Sequence, residues 1–289
     1  MSLQPILDDC GFTITRYQQV FGGDINQSYC LYSNDERYFL KVNDAGLYPA
    51  MFVKEAGGLI ALATELSVNE LNAIAVPQVI KQGTTANKQY LLLEWLEKGR
   101  PNKNFWEEFG SSLANLHKKQ QTFFGWHEDN YIGNLVQQNT KHGSWHSFYA
   151  ECRIMPLVKE LYNAGSFSKQ DVTTTESFCK KINDLFPHEP PALLHGDLWS
   201  GNFMIAQHGN AAIYDPAVYY GHREMDIGMT KLFGGFDSNF YSAYHAVYPL
   251  EKNWQQRLSL TQLYPLLVHA VLFGGHYVSS ARNIIQQFA

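Results

Sequence analysis

Two carboxylates and one amide stand at fixed spacing in His195-Gly196-Asp197-Leu198-Trp199-Ser200-Gly201-Asn202 and the later Ile213-Tyr214-Asp215-Pro216. Segments 203–206 and 211–214 read as short strands, joined by the turn-like link Gln207-His208-Gly209-Asn210. A tight hairpin with that link sets Ala206 across from Ala211 and Phe203 across from Tyr214. The next pair outward is then Asn202 with Asp215. Opposed residues in an antiparallel ladder share a face, with Cα atoms about 4.5–5.5 Å apart. An amide oxygen and a carboxylate would converge there on one point, which suits a hard cation such as Mg²⁺. Asp197, on the loop entering the hairpin, is the candidate general base for an attacking hydroxyl.

Composition limits what surrounds this motif. The chain has 289 residues, 45% of them hydrophobic and 14% aromatic, which excludes a largely disordered protein and permits one large domain or two lobes. A formal net charge of −5 leaves no electrostatic footprint for nucleic acid. No apolar run is long enough to span a membrane, and the start Met1-Ser2-Leu3-Gln4-Pro5 lacks the basic opening of a signal peptide. Cys10, Cys30, Cys152 and Cys179 are scattered, without a CxxC or a metal-ligand cluster. They read as reduced thiols of a cytoplasmic protein, expected to be a monomer.

The first hundred residues are strand-rich. Segments 13–20, 28–32 and 37–42 are expected strands, followed by a helix over 52–66 whose Phe52, Ala56, Leu59, Ala63 and Leu66 recur at helical steps. Segments 76–81 and 89–95 read as two further strands. Beyond residue 97 the texture becomes helical, with Phe105, Phe109, Leu113 and Leu116 on one face. Helices are also expected over 155–164, 173–185, 225–232 and 239–247. The stretch 253–289 is expected to be helical with breaks at Pro265 and Gly274-Gly275.

Candidate residues for a nucleotide lie in the strand-rich part. Lys41 stands on the third strand, where its ammonium would reach phosphates, and Glu55 on the following helix is its natural partner. Gly22 and Gly23 lie between the first two strands, where backbone N–H groups can approach phosphate oxygens. No Gly-x4-Gly-Lys-Ser/Thr pattern occurs, which disfavours a P-loop. A serine hydrolase built on Ser200 fails because Leu198 occupies the first glycine position of the nucleophile elbow. His142 and His146 have helical spacing but flank Gly143 and lack a third ligand, so they do not read as a zinc site.

The Asp-x4-Asn spacing with a later Asp matches the catalytic loop and metal-holding position of protein kinases. Here the loop is His-Gly-Asp rather than His-Arg-Asp, and Pro216 stands where kinases place Phe-Gly. These departures point toward kinases of small molecules and modified side chains. The string Leu193-Leu194-His195-Gly196-Asp197-Leu198-Trp199-Ser200-Gly201-Asn202 resembles the fructosamine (ketosamine) kinase family in particular. Aminoglycoside and choline kinases are relatives that share its His-Gly-Asp core. The resemblance covers nearly the whole chain, through Asp129-Asn130-Tyr131-Ile132-Gly133, Trp145-His146-Ser147-Phe148-Tyr149 with Arg153, Arg223-Glu224-Met225-Asp226-Ile227-Gly228-Met229 and Phe233-Gly234-Gly235-Phe236.

That resemblance implies an α+β, bilobal, protein-kinase-like fold. Its small β-rich N-terminal lobe, with the hinge, would span 1–97, and a larger, mainly helical catalytic and substrate-binding lobe 98–289. It implies ATP and Mg²⁺ as cofactors, with Asn202 and Asp215 on the metal, and a hinge at Glu94, Trp95 and Leu96 whose backbone meets adenine. The acceptor it implies is the 3-hydroxyl of a fructosamine or ribulosamine on a free or protein-bound amine. An aminoglycoside- or choline-type acceptor, and a nucleotide-binding scaffold without turnover, stand as alternatives. Asp226 is a candidate to hold the catalytic loop, while Asp129, Arg153 and Trp199 are open to substrate contact or to structural roles.

Overall fold

The computed structural model describes residues 3–20, 26–34, 36–67 and 73–289. They form two compact units: Met1–Phe105 with Phe203–Pro216, and Trp106–Asn202 with Ala217–Ala289. The architecture is α+β, with a sheet-rich first unit and a mainly helical second one.

The chain opens with helix α1 (Gln4–Asp9), followed by strands β1 (Arg16–Val20), β2 (Gln27–Ser33) and β3 (Glu36–Asp44). Helix α2 (Met51–Ser67), a two-residue strand β4 (Ile74–Ala75), then β5 (Val79–Thr85) and β6 (Lys88–Glu94) follow. Five of these strands make an antiparallel sheet in the order β1-β2-β3-β6-β5. Strand alternation explains its two faces. Leu40 and Val42 of β3 stand opposite Leu92 and Tyr90 of β6, and all four are buried against Ile6, Leu7 and Cys10 of α1. Lys41, between them, stands opposite Leu91 and therefore belongs to the other face. α2 buries Met51, Phe52, Ala56, Leu59, Leu62 and Leu66, an apolar stripe at three- and four-residue steps.

The strand expected over 76–81 starts later and runs further, as β5, with a bulge between Val79 and Lys81. Helix α1 was not foreseen. At six residues with Pro5 in its first turn, it is too short to carry a readable period.

The second unit begins with α3 (Phe105–His117), the hairpin β7 (Asn130–Ile132) and β8 (Leu135–Gln137), and α4 (Trp145–Phe148). α4 runs directly into a π-helix, Tyr149–Ile154, and then α5 (Met155–Asn163) and α6 (Lys169–Leu185). Ser168 caps α6 through a capping box with Asp171, whose carboxylate also accepts from Arg282 at 3.0 Å. Strand β9 (Ala192–Leu194) leads to the loop 195–202.

After that loop the chain contributes β10 (Phe203–Ile205) and β11 (Ala211–Ile213) to the first unit. β11 pairs with β10 on one side and, in parallel, with β4 on the other. The observed register sets Phe203 opposite Ile213, not Tyr214, so the hairpin count made from sequence is off by one. The cause is the turn. Gly209 N–H donates to Ala206 O, Ala206 N–H donates to Asn210 O, and Gly209 takes φ +81°, which makes a three-residue loop with glycine in the left-handed position. The ladder therefore supplies no reason for Asn202 and Asp215 to be directly opposed.

The second unit closes with β12 (Tyr219–Gly221), antiparallel to β9, and helices α7 (Glu224–Leu232), α8 (Ser238–Val247), α9 (Leu258–Phe273) and α10 (His276–Phe288). The break expected at Pro265 does not occur, because α9 runs through it. Nine of its side chains from Leu260 to Ala270 are buried, and that burial outweighs the roughly 3 kcal/mol that an internal proline costs. Gly274, at φ +64°, ends the helix where expected. Among the described residues no helix is long and apolar enough to cross a membrane.

Candidate active site

In the first unit Lys41 is almost wholly buried. Its Nζ donates to Glu55 Oε1 at 2.7 Å and to Asp215 Oδ1 at 3.0 Å. One ammonium is thus held by one carboxylate from α2 and one from the segment after β11. Burial pulls the Lys41 pKa down, but the charges of Asp215 and Glu55 outweigh it and hold the ammonium well above its ordinary range. Burial pushes the Glu55 carboxyl up, against the pull of Lys41, and the like charge of Asp215 adds to the rise. Asp215 has φ +56°, a strained setting that Asp tolerates better than most residues, and its side chain is 46% exposed. With Oδ1 on Lys41, its second carboxylate oxygen has no hydrogen-bond partner among the described residues.

Glu94 ends β6, and Trp95 and Leu96 follow it as irregular chain. Glu94 is tied to Gln78 through both its backbone N–H and its side chain, and Trp95 lies under the Arg37 guanidinium. Gly22 and Gly23 lie outside the described residues.

In the second unit the loop 195–202 is clamped before it reaches its carboxylate. Asp226, buried on α7, accepts the backbone N–H of His195 at 2.8 Å and that of Gly196 at 3.0 Å. His117, at the end of α3, lies 3.3 Å from the same carboxylate through Nε2, and 2.8 Å from the Tyr244 hydroxyl through Nδ1. Burial would raise the Asp226 pKa. The His117 hydrogen bond and charge, with the charge of His195 and the Gly196 amide, outweigh it and hold the carboxyl below its ordinary value.

His195 is fully buried and braces the turn rather than facing solvent: its Nδ1 accepts from Asp197 N–H at 3.3 Å and its carbonyl accepts from Ala217 N–H at 2.9 Å. Gly196 has φ +83°, and a Cβ there would lie 2.0 Å from Ala217 O, so no side chain fits. That contact is the physical reason the loop reads His-Gly-Asp and has no room for an arginine.

Asn202 closes the loop on itself. Its Nδ2 donates to Asp197 O and to Asp197 Oδ2, both at 2.9 Å. Two acceptors fix the amide orientation and leave Oδ1 free of hydrogen-bond partners among the described residues. Asn202 thus offers an amide oxygen and Asp215 a carboxylate oxygen, each a hard donor of the kind Mg²⁺ accepts. Trp199, half-buried, meets Phe233 edge-on at 5.8 Å, and Phe233 continues to His269 at 4.8 Å.

Other sequence candidates take structural places. Asp129 Oδ1 accepts the Asn139 amide at 2.8 Å. His142 Nε2 lies 3.5 Å from Cys152 Sγ, while His146 Nε2 lies 3.3 Å from Ser147 Oγ. Among the described residues no group of His, Cys, Asp and Glu side chains could by itself hold a metal. His117, Gln137, Asn139 and Tyr264 were not singled out from sequence. Gln137 and Asn139 lie in the polar run 137–142, His117 opens the polar run 117–121, and Tyr264 stands in an apolar stretch, so no local spacing marks any of them.

Comparison with known proteins agrees with this geometry. The fructosamine kinase family model matches residues 6–289. A probable ketoamine kinase of Synechocystis sp. is 42% identical over 280 residues, covering 96% of this chain and 91% of that protein. The chloroplastic protein-ribulosamine 3-kinase of Arabidopsis thaliana is 35% identical over 281 residues, covering 95% and 83%. Among solved structures, a protein assigned as a fructosamine-3-kinase from Haemophilus somnus superposes with a TM-score of 0.84 at 30% identity, covering 99% and 95%. A spectinomycin phosphotransferase shares the fold alone, at a TM-score of 0.59 and 14% identity over 99% and 94%. A buried lysine held by two carboxylates, a clamped His-Gly-Asp loop and these matches together place the chain in the fructosamine kinase family.

Proposed function

We propose that this enzyme transfers the γ-phosphoryl group of ATP to the 3-hydroxyl of a ketosamine, a fructosamine or ribulosamine carried on a free or protein-bound amine. The observation that carries the reading is the coupling of Asp197 to Asn202 on a loop whose backbone amides are pinned by Asp226. A carboxylate so held is suited to accept the proton of an attacking hydroxyl. Membership of the family and the ribulosamine 3-kinase relative support the acceptor.

In this reading Lys41, steadied by Glu55, reaches the phosphates, and Glu94, Trp95 and Leu96 mark the adenine edge. Mg²⁺, when bound, neutralises phosphate charge, and Asn202 through Oδ1 and Asp215 through its free oxygen would hold it. Trp199 with Phe233 offers an aromatic wall to the sugar adduct. A phosphate on the third carbon destabilises the adduct and favours its release from the amine, so the reaction serves deglycation.

The test is steady-state turnover of a ribulosamine, a fructosamine, choline and an aminoglycoside with ATP, with the product's phosphate position read by NMR. Ketosamine turnover at the third carbon is expected, and Asp197→Asn should lower kcat by about 10²–10⁴-fold while leaving nucleotide affinity intact. Lys41→Met should weaken nucleotide binding. Full activity in Asp197→Asn, or turnover of choline or the aminoglycoside alone, would sink the proposal.

A further inference from the structure

Arg153 is fully buried on the π-helix Tyr149–Ile154, yet no carboxylate pairs with it among the described residues. The other buried arginine, Arg223, shows what stabilising pairing looks like here: two bonds of 2.7 Å to Glu189. Arg153 instead lies over three aromatic rings, with centroids at 4.1 Å for Tyr219, 4.5 Å for Phe148 and 5.2 Å for Tyr264. Its Nη1 donates to the carbonyls of Cys152 and Gln138, and its Nη2 donates to Asn139 Oδ1 at 2.7 Å. Its Nε–H is buried without a partner among the described residues. Burying a cation carries a desolvation cost, and here it is offset by these hydrogen bonds and ring faces rather than by an opposite charge.

What the guanidinium reaches is a lattice of amides. Asn139 Nδ2 donates to Asn130 Oδ1 at 2.9 Å, and Gln137 Nε2 donates to the same oxygen at 2.8 Å. Gln137 also donates to Ala217 O at 3.0 Å, and Asn130 donates to Val218 O at 2.8 Å. Ala217 N–H in turn donates to His195 O, at the head of the catalytic loop. Tyr264 closes the lattice by donating to Gln137 Oε1 at 2.9 Å. Burial raises its phenol first of all, and the charges of Arg153 and Asp197 act on it in opposite directions. A π-helix interrupts regular winding at a cost in hydrogen-bond geometry, and here it carries this arginine.

We propose that Arg153 is a positioning residue for phosphoryl transfer: it fastens the Asn139–Asn130–Gln137 amides that hold the Ala217–Val218 backbone, and through it the loop bearing Asp197. The inference rests on the kinase reading above for its kinetic readout, and on the hydrogen-bond lattice alone for its structural one. It gives Arg153 no contact with either substrate.

The experiment uses the full chain with ATP and a ribulosamine, in Arg153→Met, Arg153→Lys and Gln137→Met. Arg153→Met should lower kcat per folded molecule by roughly 10- to 100-fold, the cost of a misplaced reacting group, with both KM values within about twofold. Arg153→Lys should recover only part, since one ammonium cannot replace the fork. Gln137→Met should reproduce the loss with Arg153 intact, and the double variant should be no worse than the poorer single one.

Amide hydrogen exchange gives a second readout that needs no activity. Protection should fall at His195–Gly196 and at Ala217 while α9 keeps its own. Unchanged kcat in Arg153→Met, additive losses in the double variant, or exchange that is unaltered or faster everywhere would each overturn the proposal. If Arg153→Met fails to fold, Arg153→Lys and Gln137→Met decide it by the same measures. A wild type without ketosamine turnover would defeat the functional reading, and hydrogen exchange would still judge Arg153.

Discussion

Lys41 and Gly196 illustrate how single residues are set by their surroundings. A lysine on a strand is ordinarily a solvated charge, yet Lys41 is sealed against the sheet by two carboxylates from segments far apart in sequence. Its pairing with Glu55 was legible because strand, helix and spacing fitted one plan. Its contact with Asp215 was not, because a pairing across so long a loop leaves no local pattern. Gly196 was visible only as a departure from His-Arg-Asp, and its cause is the Ala217 carbonyl. Gly196→Ala must adopt a φ of +83° that costs about 1–3 kcal/mol and must also push that carbonyl aside. Thermal unfolding should show the loss of stability, and kcat should fall with it. An alanine variant with wild-type stability would contradict the contact.

At the scale of elements, long periodic segments declared themselves and short ones did not. The stripe of α2 and the strands β3 and β6 were readable, whereas α1, β4 and the π-helix were not. The hairpin was foreseen but its register was not, since one glycine in the left-handed region shortens the loop by a residue. α1 still matters to the site. Ile6, Leu7 and Cys10 pack behind Leu40 and Val42, the two neighbours of Lys41, while Asp9 accepts from the Tyr90 hydroxyl and from Lys81. Ile6→Ala should cost about 2–5 kcal/mol of stability. It should also raise the KM for ATP and leave the KM for the acceptor alone, which urea melts and initial rates can check. Equal rises in both KM values would separate α1 from the lysine strand.

For the whole molecule, buried titratable groups dictate how stability follows pH. Burial, above all, lowers the pKa of His222 and His269, so the unfolded chain binds more protons than the fold once pH drops below about 6.5. Asp226, Glu189 and Asp171 have lowered carboxyl pKa values: burial alone would raise them, and hydrogen bonds and positive partners outweigh it. Their contribution is complete above the ordinary carboxylate range and is lost as pH falls through the lowered values. Denaturation midpoints should therefore decline in two steps, one below about pH 6.5 and a steeper one below about pH 4. A flat profile between pH 7 and 5 would exclude the histidine step. The chain as a sequence announced its kinase-like plan through one loop and one lysine. The polar lattice around Arg153, made of residues scattered from Asn130 to Tyr264, could be seen only once folded. The meeting of Gly196 with the Ala217 carbonyl also bears on ancestry. A loop of this kind cannot become a His-Arg-Asp loop by exchange of one codon, because the backbone beside it would have to move first. At this position a change of letter and a change of main-chain path must come together, and the glycine is the mark of the path this chain takes.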